Sequence, residues 1–230
     1  MVSVGRMNFP LAFGRSREST ASARLRDARI EWLLGTHPVT AEMLVSIGLF
    51  PTRAKALKRL RRLAARQRIR LVGSVGRKCG RPEHVFCRFR PKGNDLRHEV
   101  ELTELCLRLD AARILRGPHA TDRQIRPDAE VWINGQLYYL ELDRGTMSYA
   151  QIVGRFRLYA GFPHFVLWVC AGAERRDGLR ARAERIRTCA LFTTFAEAVS
   201  SPHAAVWLDY QGGTAVLPRE GEDPWDTGGR

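Results

Sequence analysis

Long apolar runs are missing from this 230-residue sequence. No stretch approaches the roughly 18 consecutive apolar residues that a membrane-spanning helix needs. Near the amino terminus only Phe9-Pro10-Leu11-Ala12-Phe13 is apolar, well short of a signal-peptide core. The protein is therefore expected neither to enter nor to cross a membrane, and to be cytoplasmic and nucleoid-associated. Cysteine is sparse as well. The five cysteines (Cys79, Cys87, Cys106, Cys170 and Cys189) form no C-x-x-C pair, which points to reduced intracellular thiols. Cys79 and Cys87 flank a predicted hairpin and could pair or bind metal, but no companion His/Cys pair lies at zinc spacing.

Acidic residues are the third scarcity, and a local one. The chain carries 38 Lys and Arg against 24 Asp and Glu, a net charge of +14. Residues 1–92 hold 21 of those basic residues and only 5 acidic ones, whereas residues 93–230 hold 17 and 19. The positive charge belongs to the first part, and it points to a polyanionic partner, double-stranded DNA.

What is present divides the chain in four. Residues 1–22 form a basic tail without periodicity, and residues 210–230 an acidic one rich in Gly and Pro. Both are expected to be disordered. Residues 23–92 show three short helical patterns: around Leu25–Leu34, from Thr40 as a cap, and from Thr52 to Ala65. A hairpin follows, with strands Ile69–Val72 and His84–Cys87. Helix, helix, helix and two-stranded wing is the order of a winged helix-turn-helix. In the third helix Leu57, Leu60 and Leu63, with Ala56 and Ala64, form the inward stripe. Arg53, Lys55, Lys58, Arg59, Arg61 and Arg62 are left outside, where a recognition helix meets phosphates and guanine edges. Arg77, Lys78 and Arg81 in the hairpin loop would reach the neighbouring backbone. A solvated face or a protein interface is the alternative explanation. It must also account for positive charge falling on both the third helix and the wing, with almost no acidic residue between Pro51 and Arg81.

Residues 93–209 read as mixed α/β: a helix over Asn94–Asp110, two strands, a helix near Tyr149–Ala160, a strand Phe165–Cys170, a helix Gly178–Arg187, and strands near Ala190–Thr193 and Ala205–Leu208. Such alternation implies a sheet flanked by helices. Asn134-Gly135 between two alternating runs predicts a two-residue type I′ hairpin. That turn sets Ile133 opposite Gln136, Asp128 opposite Glu141 and Arg126 opposite Asp143. Pro127, Ala129, Val131, Ile133, Tyr138, Leu140 and Leu142 then share an apolar face, and Arg126, Asp128, Glu130, Glu141 and Asp143 a charged one. Opposed like charges weaken a sheet by roughly 0.2–1 kcal/mol, so a compensating cation is expected. Mg²⁺ or Mn²⁺ held by Asp128 and Glu141 is one candidate. Neutralisation by Arg126, Arg144 or Arg155 in an ion-pair network is the other. Glu101 on the preceding helix either completes a metal site or is a surface residue.

Pro127-Asp128, twelve intervening residues and Glu141-x-Asp143 resemble the PD-(D/E)xK restriction-endonuclease-like superfamily. More narrowly, RPDA, then LELDRGT, then a helix with Arg155-x-x-x-Tyr159 is similar to the replication-relaxation family of plasmid and mobile-element proteins. The resemblance implies a nuclease-like mixed sheet in which Asp128, Glu141 and Asp143 form the catalytic cluster. The superfamily carries Lys two residues after the Glu, where this sequence has Asp143, and Arg155 on the next helix stands where a migrated basic residue would lie. Two functions follow. One is metal-dependent DNA nicking directed by the winged helix. The other is an inactive replication or transcription regulator that uses the nuclease-like domain for dimerisation, as a homodimer, or for contacts with other mobile-element proteins.

Overall fold

The computed structural model describes residues 20–76, 82–89, 96–109, 111, 113–116 and 125–219. The chain divides into two units, Met1–Lys92 and Gly93–Arg230. Among the described residues they hold seven helices and ten strands in a mixed α+β arrangement.

The first unit runs α1 (Thr20–Thr36), β1 (Val39–Thr40), α2 (Ala41–Ser46), α3 (Arg53–Ala65), β2 (Arg70–Val75) and β3 (Glu83–Cys87). Its helices start where side chains can take up orphan backbone donors. Thr40 Oγ1 accepts from the Met43 N–H at 3.3 Å, and Thr52 Oγ1 from the Lys55 N–H at 3.4 Å. The three strands form one sheet in the order β1-β3-β2, with an irregularity between Leu71 and Gly73. Ile30, Leu34, Leu44, Ala56, Leu60, Leu63 and Val85 are wholly buried and make its core. The buried Cys87 thiol points to the carbonyls of Leu34 and His37. Cys79 lies outside the described residues, as do Arg77, Lys78 and Arg81 and the basic tail through residue 19. Helix α1 begins within the stretch expected as tail, at Thr20.

The second unit runs α4 (Leu96–Arg108), β4 (Arg113–Arg116), β5 (Ala129–Ile133), β6 (Gln136–Asp143), α5 (Tyr149–Tyr159), β7 (Phe165–Cys170), α6 (Ala173–Glu184), β8 (Ala190–Thr194), α7 (Phe195–Ser200), β9 (Trp207–Leu208) and β10 (Thr214–Ala215). The sheet order is β10-β9-β8-β7-β6-β5-β4, with β6, β7 and β8 parallel and the other pairings antiparallel. Helices cover both faces. Leu102, Leu105 and Cys106 of α4 and Ala198 of α7 pack with Val131, Leu140 and Val169 on one. Ile152, Phe156 and Tyr159 of α5 and Leu179 and Ala183 of α6 pack with Tyr139, Trp168 and Phe192 on the other.

Two expectations change. Residues 210–219 are not part of a disordered tail: β10 pairs with β9, and Leu217 is buried in the core, so the apolar Ala215-Val216-Leu217 outweighs its Gly-rich surroundings. Helix α6 starts at Ala173 with Gly172 at its cap, ahead of the expected Gly178; that glycine sits inside the helix, where a Cβ would stand 2.5 Å from the Tyr149 hydroxyl.

Candidate functional site

The hairpin around Asn134 and Gly135 places the carboxylates. Both residues have positive φ, 51° and 79°, as a type I′ turn demands. The register is the predicted one: Ile133 opposite Gln136, Val131 opposite Tyr138 and Ala129 opposite Leu140. Its continuation brings Asp128, one residue before β5, alongside Glu141. Arg126 does not face Asp143 as expected. The ladder ends at Ala129, Arg126 has φ 48°, and Asp143 lies beside Cys170 of β7.

Glu141 and Asp143, two apart on β6, point to the side covered by α5 and α6, and both are 1% exposed. The charged face of the hairpin is thus itself an interior. Burying carboxylates requires partners, and Glu141, Asp143 and the less buried Asp128 each have a basic one from a different helix. From α4, His98 Nε2 lies 3.4 Å from Asp128 Oδ2, which also accepts from the Leu142 N–H at 2.9 Å. From α5, Arg155 Nη2 donates to Glu141 Oε1 at 2.6 Å, and the Tyr159 hydroxyl donates to the same oxygen. The four-residue spacing of Arg155 and Tyr159 sets them one above the other on one helix face. From α6, Arg175 Nε donates to Asp143 Oδ2 at 2.6 Å, Asp143 Oδ1 accepts from the Gly145 N–H at 3.0 Å, and Arg175 Nη2 donates to the Met147 carbonyl at 2.6 Å.

Burial and the neighbouring Asp128 push the Glu141 carboxyl well above the usual range, against the pull of Arg155 and Tyr159. The Tyr159 hydroxyl is raised too, by burial and by Glu141, so it keeps its proton and remains a donor. His98 is raised chiefly by its hydrogen bond to Asp128, which outweighs desolvation. Burial, reinforced by Asp143, raises the Cys170 thiol to about 12 and leaves it inert.

As they stand, Glu141 Oε1 and the Asp143 carboxylate are taken up by the chain's own donors: Oε1 has two, and Asp143 is enclosed by Arg175 and Gly145. Mg²⁺ and Mn²⁺ need open carboxylate oxygens. No group of three metal-ligating side chains occurs among the described residues. Glu101 is ion-paired with Arg97 at 2.7 Å and Arg144 at 3.1 Å. Of the arginines expected to neutralise the cluster, Arg155 does so, Arg144 serves Glu101 instead, and Arg126 contributes its carbonyl, 3.4 Å from Arg155 Nη2. His98 and Arg175 were not singled out from sequence, since nothing distinguishes them from other basic residues until the helices are packed.

On α3, Ala56, Leu60 and Leu63 are buried, Leu57 and Ala64 only partly so. Arg53, Lys55, Lys58, Arg61 and Arg62 are exposed. Lys58, Arg61 and Arg62 flank a shallow strip made by Ala54, Leu57 and Ala65. Arg53 also lies 4.0 Å from both Glu42 and Glu83. Arg59 departs from the outward set: its Nε donates to Asp27 Oδ1 at 2.9 Å and its Nη2 to Oδ2, tying α3 to α1.

These features define a mixed α+β protein with a basic helical unit and a helix-covered sheet holding a carboxylate–cation network. Residues 33–166, more than half of the chain, match the replication-relaxation family model, and the chain belongs to that family. The family ties it to plasmid or mobile-element replication and relaxation, and so to DNA. No curated protein and no solved structure matches the chain. No described helix is long and apolar enough to cross a membrane.

Proposed function

We propose that the protein is a double-stranded DNA-binding factor of plasmid or mobile-element replication, with a winged-helix first unit whose α3 lies in the major groove. The observation that carries this reading is the exposed face of α3, where Lys55, Lys58, Arg61 and Arg62 stand together with no acidic residue in sequence from Pro51 to Arg81. Small Ala54 and Ala65 along the same strip let the helix axis approach a groove floor. Arg77, Lys78 and Arg81, between β2 and β3 in sequence, supply the wing's contacts to phosphate. Arg59 is assigned to holding α3 on α1.

The second unit, in this reading, has a restriction-endonuclease-like architecture whose carboxylates are structural. Asp128, Glu141 and Asp143 are matched by His98, Arg155 and Arg175, and Asp143 stands where a nuclease carries Lys. Arginine stays charged at neutral pH and is no general base. The protein is then a regulator that binds DNA without cutting it.

A mobility shift of a labelled duplex, with supercoiled plasmid assayed alongside, tests both halves. The full chain should form a complex that weakens as salt rises. Lys58→Glu with Arg61→Glu should bind at least about tenfold more weakly. Plasmid should stay supercoiled with Mg²⁺ or Mn²⁺. Nicking that Asp128→Ala abolishes would replace the structural reading of the carboxylates with a catalytic one.

A further inference from the structure

We propose a second DNA-contacting surface, in the groove between α5 and α6 of the second unit, which takes the phosphodiester backbone. The proposal rests on the reading that this protein binds DNA, and extends it to a unit whose sequence carries more acidic than basic residues.

The groove, of about 400 Å³, is lined by Tyr149, Ala150, Val153 and Arg157 on one side and Arg182, Arg185 and Ile186 on the other. Three of its seven lining residues are arginines and none is acidic. Arg157 and Arg185 are exposed. Arg182 is held in place: its guanidinium lies 3.6 Å from the centre of the Tyr149 ring, and its Nη1 donates to the Gly178 carbonyl at 2.7 Å. The other side of the Tyr149 environment is fixed by Arg175, 4.4 Å from the ring centre and anchored by Asp143. Gly178 makes room for this arrangement, since a Cβ there would meet the Tyr149 hydroxyl.

A guanidinium pinned on an aromatic ring has already lost its rotamer freedom, so less is lost when it donates to an anion. Two further arginines beside it give a run of donors suited to successive phosphate oxygens. The groove floor of Ala150, Val153 and Ile186 has no side-chain donor or acceptor to read bases, so the contact is independent of sequence. Charge complementarity favours a polyanion, and within a DNA-binding protein the backbone of the bound duplex is the polyanion at hand.

The test is a fluorescence-anisotropy titration of a labelled duplex with the full chain at several salt concentrations. Arg157→Glu with Arg185→Glu changes two exposed side chains outside both cores, and Arg157→Gln with Arg185→Gln is a milder version should the reversal disturb folding. The expected result is a plot of log affinity against log salt that is shallower by about 2, or about 0.9 per lost phosphate contact. Affinity near physiological salt should fall about tenfold or more, with Lys replacements retaining most of it. Unchanged slope and affinity in both variants, while Lys58→Glu with Arg61→Glu loses binding, would overturn the groove and leave α3 standing. Loss in the groove variants with none in the α3 variant would do the reverse. Absence of DNA binding by the unaltered protein would remove both.

Discussion

Glu141 places a tight constraint on the second unit. A carboxylate 1% exposed can remain in the fold only if its charge is matched or its proton kept, and Arg155 and Tyr159 converge on one of its oxygens to supply the match. Removing one partner of such a pair strands the other. Arg155→Ala should therefore lower stability by about 3 kcal/mol in urea unfolding, and adding Glu141→Gln to that variant should restore more than half of the loss. A loss below about 0.5 kcal/mol would reduce Arg155 to an ordinary surface ion.

The same cluster sets a pH dependence. Both His98 and Glu141 have folded-state pKa values above their unfolded ones. A group raised on folding contributes stability fully below its unfolded pKa and loses that contribution as pH climbs through the folded value. Stability should thus decline with rising pH, the Glu141 part beginning above about 4.5 and the His98 part above about 6.5. Thermal unfolding of His98→Gln should show the upper part of the decline removed and the lower part kept. An unaltered profile in that variant would mean that the Asp128 contact is not made in solution.

At the scale of elements, α3 shows how much of a helix can be read from its pattern and where the reading fails. Thr52 as cap and Leu60 and Leu63 in the buried stripe are legible, because capping and period are local properties, whereas Leu57, expected in the same stripe, is only half-buried and Ala56 takes the inner position. The fate of Arg59 is not legible, since its partner Asp27 lies 32 residues away on another helix. The two kinds of cation should separate by mutation. Arg59→Ala should lower the stability of the first unit by about 1 kcal/mol while DNA affinity stays within about twofold, whereas Lys58→Glu with Arg61→Glu should do the opposite. Chemical denaturation and duplex titration of the two variants check this together.

The carboxylate hairpin was readable down to its register because a two-residue turn fixes which residues oppose one another. Replacing Asn134-Gly135 with Ala-Ala, at φ 51° and 79°, should cost about 2 kcal/mol through left-handed backbone strain. Unchanged unfolding midpoints would show that the register does not depend on the turn. Helix α7 lies outside the expected elements although its signature is equally legible: Thr194 and Glu197 form a capping box in Thr194-Phe195-Ala196-Glu197. The burial of the hairpin's charged face has no such local signal. Period-two alternation says which residues share a face, but not that a second layer of helices covers it.

For the molecule as a whole, charge separates the two units before any element is assigned, and the chain divides between residues 92 and 93. The alternation of strands and helices after that point foretold a helix-covered sheet. The short edge strands β4 and β10 have no sequence signature, because four and two residues carry too little pattern. The three basic partners of the carboxylates come from three helices spread over residues 96–184, and only their packing brings them together.

The central claim is that the exposed basic face of α3 is where this protein meets DNA. Anisotropy titration of a labelled duplex near physiological salt, with full-length protein and its Lys58→Glu, Arg61→Glu variant, tests it most directly. The account predicts salt-sensitive binding by the former and a loss of at least about tenfold in the latter with the fold intact by circular dichroism. Equal affinities for the two proteins would contradict it.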